Sequence, residues 1–134
     1  MTISPKSFRF LLLITILLNI GGYLTTNFTE KNLPLNLQTY ILENRLCPMS
    51  QIDKLFLIIA TPALMAFCLS YVGLFKIKKW GRTLFLTANC IGIFSAPLAG
   101  ATVYSGTADM VSTILSVSIG LVIAIAYFTP LFDD

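Results

Sequence analysis

The chain of 134 residues contains no histidine. That excludes bis-histidine haem, histidine-held metal and histidine-assisted acid, base or nucleophilic chemistry. Charge is scarce too: 11% of residues are Asp, Glu, Lys or Arg, where a soluble globule carries about a quarter. The cysteines Cys47, Cys68 and Cys90 form no C-x-x-C pair, so the usual dithiol relay is missing. "CPM" at Cys47 to Met49 offers soft sulfur of the kind that binds Cu(I), but an ordinary free loop thiol is the reading adopted. No residue is assigned a catalytic, cofactor-binding or metal-binding role.

What fills the chain instead is apolar. Hydrophobic residues make up 56% and the mean hydropathy is +0.83. Charge-free runs extend over 10–29, 55–75, 83–108 and 110–132. A hydrocarbon core of about 30 Å needs about 20 helical residues, and each of these runs meets that length. The sequence therefore predicts an all-α membrane protein, a single domain over 1–134 forming a four-helix bundle. The expected spans are Phe8–Thr25, Ile52–Phe75, Gly81–Tyr104 and Ala108–Thr129. Lys6 and Arg9 before the first run also resemble a secretory signal. Cleavage would have to use Gly21-Gly22 with no A-x-A nearby, so a retained helix is expected.

Basic residues orient the bundle. Lys6, Arg9, Lys76, Lys78, Lys79 and Arg82 fall on the side of the N-terminus, and Lys31, Arg45 and Lys54 on the other. Both termini are therefore expected in the cytoplasm. The formal charge of +3 is an orientation signal; the "KIKKWGR" loop is too short for a nucleic-acid surface, although it suits anionic lipid. Tyr23 and Tyr104 fall at outer ends, and Tyr71, Trp80 and Tyr127 near inner ones. Asn27-Phe28-Thr29 is an outward-facing glycosylation sequon.

Local signals place the joints. Ser50 and Asp53 have capping-box spacing before the second span. Thr107 and Asp109 are expected to cap the fourth, and Pro130 to end it. The long connection contains "PLNLQTYILENRL", read as a short interfacial helix begun by Pro34.

Two features concentrate in the third span. Ala88, Gly92, Ala96 and Gly100 recur at every fourth residue, as do Ser112, Ser116, Gly120 and Ala124 in the fourth span. Small residues at this spacing let helix backbones approach, so the two stripes are expected to form one seam, with Asn89 bonding across it. On that reading Gly92→Leu and Gly120→Leu should destabilise far more than Asn89→Leu. Pro62 and Pro97, meanwhile, fall at matching depth on adjacent antiparallel spans. Each ring frees a carbonyl one turn earlier, on Ile58 and Ile93. Paired kinks would splay the outer halves and open a small pocket among Pro62, Asn89, Ser95 and Pro97.

Asp53 and Asp109 stand at the starts of their spans and the span interiors hold no carboxylate, so the chain differs from the small multidrug exporters that it matches in size and expected span count. "KKWGRTLF", a tight hairpin and a closing "AIAYFTPLF", together roughly 78–132, are similar to the second half of small uncharacterised bacterial inner-membrane proteins. That resemblance implies a bacterial inner membrane, multi-pass insertion and no particular activity. The function expected is a non-catalytic accessory, scaffold or regulatory subunit, its partners the bilayer and a second membrane protein or second copy. The alternative is a small channel or binder of a lipophilic ligand, using the outer pocket between the second and third spans.

Reporter fusions test the orientation. Those placed after Lys79 and Asp134 should report the cytoplasm, and one at Asn36 the outside. A cytoplasmic signal from Asn36 overturns the topology.

Overall fold

Residues 3–29, 33–48, 50–99 and 105–132 are described by the computed structural model. Gly100, Tyr104 and Met49, used above as a seam residue, an interfacial aromatic and a soft ligand, lie outside them. Among the described residues there are five α-helices and no strand. They are α1 (Pro5–Thr29), α2 (Leu35–Leu46), α3 (Gln51–Phe75), α4 (Lys79–Ser95) and α5 (Gly106–Phe128), with 3-10 turns at Ala96–Ala99 and Pro130–Phe132. The expected spans correspond to α1, α3, α4 and α5.

Three helices are long and apolar enough to cross a membrane: Pro5–Thr26, Gln51–Phe75 and Gly106–Phe128. α4 is shorter than expected, at 17 residues. Pro97 is the physical reason, because it has no N–H to give to Ile93. The expected proline kink is instead a helix end, and the chain tightens into the 3-10 turn. There the Ala96 N–H reaches the carbonyls of both Gly92 and Ile93.

The helix starts follow the side-chain chemistry. Ser50 Oγ accepts from the Asp53 N–H at 3.1 Å, and the Asp53 carboxylate accepts from the Ser50 N–H at 2.8 Å, completing the capping box. α5 begins earlier than expected: its cap is Ser105, whose hydroxyl accepts from the Ala108 N–H, while Thr107 lies inside the first turn. Pro34 precedes α2 as its cap residue. Around α2, Leu35 and Leu42 fall on one side and Leu37, Tyr40 and Ile41 on the other at about 100° per residue, so its apolar residues do not form the single face that an interfacial helix presents.

Helix pairing departs from the sequence reading. α3 packs along α4, and α1 along α5, while α4 and α5 meet only sparingly. Along α1 the inward positions are Phe8, Leu12, Thr15, Asn19, Gly22 and Thr26. Along α5 they are Ala108, Val111, Leu115, Ser118, Val122, Ile125 and Thr129. Both series alternate steps of three and four, the periodicity of a coiled-coil seam. Ser112, Ser116, Gly120 and Ala124 fall on the other, exposed face of α5. The expected seam between the third and fourth spans is therefore not formed. A methyl group on Gly92 or Gly120 would meet no atom within 4 Å.

The close backbone approach lies elsewhere. A methyl group on Gly73 would sit 2.6 Å from the Cα of Gly81, and one on Gly81 would run into the backbone of Gly73 and Leu74. The Trp80 ring lies over the same bare backbone. Between the two glycines the chain turns through a Schellman motif: Lys78 N–H donates to Gly73 O at 2.9 Å and Ile77 N–H to Leu74 O at 3.0 Å. Ile77 occupies the left-handed position, with φ 53°. A β-branched residue is costly there, and burial against the core offsets the strain.

The two pairs join at the end that carries Lys6, Arg9 and the Lys76–Arg82 loop. Phe8, Leu12, Leu74, Phe85, Val122, Ala126 and Phe132 form one buried cluster there, with Phe8 and Phe132 edge to face at 5.5 Å. Two arginines cross between the pairs. Arg9 Nε donates to Phe75 O at 3.1 Å, the carbonyl that the Schellman turn leaves over. Arg82 donates to Ala126 O at 3.3 Å and stacks on Tyr127 at 5.2 Å. Pro130 explains that second bond, since it lacks the N–H that would otherwise reach Ala126.

Gly73→Ala and Gly81→Ala should each cost about 1–3 kcal/mol or more, because backbone rather than a movable side chain occupies the space. Gly92→Leu and Gly120→Leu should leave the thermal midpoint in detergent close to wild type, the reverse of the seam expectation. A Gly81→Ala protein as stable as wild type would show that the contact does not hold the hairpin.

Candidate ligand groove

Eleven residues beyond Gly81, about 16 Å of helix, lies Gly92, which helps line a groove of about 790 Å³ between α3 and α4. α3 contributes Phe56, Leu57, Ala60, Thr61, Ala63, Leu64 and Phe67; α4 contributes Ala88, Asn89, Gly92, Ile93 and Ser95, and the 3-10 turn adds Ala96. The small residues of α4 thus face α3, where they widen the groove.

Phe67, which lines the groove, belongs to an aromatic cluster. Phe67 and Phe85 stack at 5.4 Å, and Tyr71 meets both edge to face at 5.1 and 5.5 Å. Tyr71 belongs to this cluster and not to an inner interfacial belt. Its hydroxyl accepts from Asn19 Nδ2 of α1 at 3.4 Å, and Asn19 also donates to Thr15 O at 2.9 Å. The cluster therefore ties the α3–α4 pair to α1. Sequence reasoning missed this cluster, and also Asn19. A polar side chain in an otherwise apolar run was the available signal for Asn19.

The four residues expected around a pocket divide evenly. Asn89 and Ser95 line the groove. Pro62 lies exposed within α3 between two lining residues, and Pro97 lies exposed in the 3-10 turn just past Ala96. Neither proline lines the groove. The hydroxyl nearest the Pro62 break belongs to Thr61 and goes to Leu57 O at 2.8 Å, not to Ile58.

Asn89 does not bond across helices as expected. Its Nδ2 donates to Phe85 O of its own helix at 2.7 Å, a contact that only the nitrogen end of the amide can make with a carbonyl. Ser95, nearly buried, donates to Gly92 O at 3.1 Å. Cys47, Cys68 and Cys90 are free and exposed, and among the described residues no cluster of metal-ligating side chains occurs. No protein-family model, curated protein or solved structure matches this chain.

Proposed function

We propose that the protein is a small, non-catalytic membrane subunit that holds the hydrocarbon chain of a lipophilic molecule in the groove between α3 and α4. The observation that carries this reading is the open groove between α3 and α4, lined mostly by apolar residues and by none that is charged. The absence of histidine and of intramembrane carboxylates supports a role without catalysis.

On this reading all four long apolar segments span the bilayer. α4 and its 3-10 turn extend together by about 34 Å, enough for a hydrocarbon core. The basic end faces the cytoplasm with both termini, and α2 lies at the outer surface. A bacterial inner membrane is the location that the sequence resemblance over 78–132 implies, and it is proposed on that ground. A second reading rests on α5, where Ser112, Ser116, Gly120 and Ala124 stay exposed. Such a stripe suits close packing of a partner helix or second copy, as an accessory subunit would need.

Native mass spectrometry of the protein released from phosphatidylcholine nanodiscs should find one long-chain ligand retained. Gly92→Phe places a ring in the groove and should abolish retention, while Gly120→Phe, on the exposed face of α5, should not. Equal retention by both variants sinks the assignment.

A further inference from the structure

The polar side chains of the groove narrow the class of ligand. Thr61, Asn89 and Ser95 are the polar residues among those lining it, and none of the lining residues is charged. Each directs a donor at its own helix: the Thr61 hydroxyl to Leu57 O, the Ser95 hydroxyl to Gly92 O, and the Asn89 amide to Phe85 O. A hydroxyl has one O–H and two lone pairs, and a carboxamide has two N–H groups and an accepting oxygen. What these side chains have left to offer is therefore three accepting oxygens and a single N–H. The groove is rich in acceptors and poor in donors.

We infer that the groove selects an uncharged long-chain molecule bearing a hydrogen-bond donor, such as a primary alcohol or the free hydroxyls of a monoacylglycerol. This rests on the proposal that the groove holds a lipophilic chain. A hydroxyl can donate to any of the three oxygens. An ester carbonyl only accepts and can meet only the Asn89 N–H. A carboxylate accepts only and brings a charge into a site with no Lys or Arg, where burial is strongly unfavourable.

The test compares hexadecanol, methyl hexadecanoate and hexadecanoate as probes, added to the protein in nanodiscs and read by native mass spectrometry. A monoacylglycerol of the same chain length forms a further arm, separating a simple alcohol from a lipid that carries hydroxyls. One added hydrogen bond corresponds to about five-fold tighter binding, so hexadecanol should exceed the ester by about that factor and the carboxylate by more. Thr61→Val combined with Ser95→Ala removes two of the accepting oxygens and should reduce the preference for the alcohol while leaving the ester unchanged. Asn89→Leu, which also removes the one N–H open to an ester carbonyl, should weaken both probes. Equal binding of alcohol and ester by the wild-type protein overturns the inference and leaves the groove assignment standing. No retention of any probe overturns both.

Discussion

The approach of Gly73 to Gly81 is the constraint on which the remaining geometry depends. Each glycine lies four residues from Ile77, so the short turn sets them opposite one another as the chain reverses. Any side chain at either position would hold α3 and α4 apart at their base. Further along the same two helices, small residues of α4 such as Ala88 and Gly92 face α3 and leave the groove. The strained left-handed Ile77 is part of the same device, since the Schellman turn it completes fixes the reversal at that point.

Closure is confined to the basic end. There the aromatic and aliphatic cluster joins the α3–α4 pair to the α1–α5 pair, and two arginines occupy carbonyls that helix termini leave unpaired. Away from water, such carbonyls need a donor, so Arg9 and Arg82 serve the backbone as much as they mark a membrane face. At the opposite end buried residues are few, with Ser95 and Ala108 among them.

Much of this was legible in the sequence. The capping box at Ser50 and Asp53, the short helix after Pro34 and the stop at Pro130 follow from local chemistry, and all three formed. Of the four residues expected around a pocket, Asn89 and Ser95 line the groove, whereas the paired proline kinks expected to open it do not: Pro97 ends α4 and neither proline lines the space. The seam was not legible in the same way. Stripes such as Ala88, Gly92 and Ala96 say that a helix can be approached, but not by which neighbour. The steps of three and four along α1 and α5 would have named the partner. Thr15, Asn19 and Ser118 hide that pattern, since polar residues at inward positions blur an apolar repeat. The glycines Gly73 and Gly81 stand alone, without a stripe, and only their equal distance from the turn signals the contact.

Arg82 and Pro130 show how two distant positions come to constrain one another. The carbonyl of Ala126 is open to the arginine because an imino acid follows four residues later. A residue with an N–H at 130 would compete for that carbonyl and release the guanidinium to other partners. A shorter residue at 82 would strand the carbonyl that proline leaves open. Substitutions at the two sites are therefore not exchangeable one at a time: whether an amino acid is tolerated at 82 depends on what stands at 130. Two positions distant in sequence are coupled through one backbone oxygen, and along a lineage they are expected to change together.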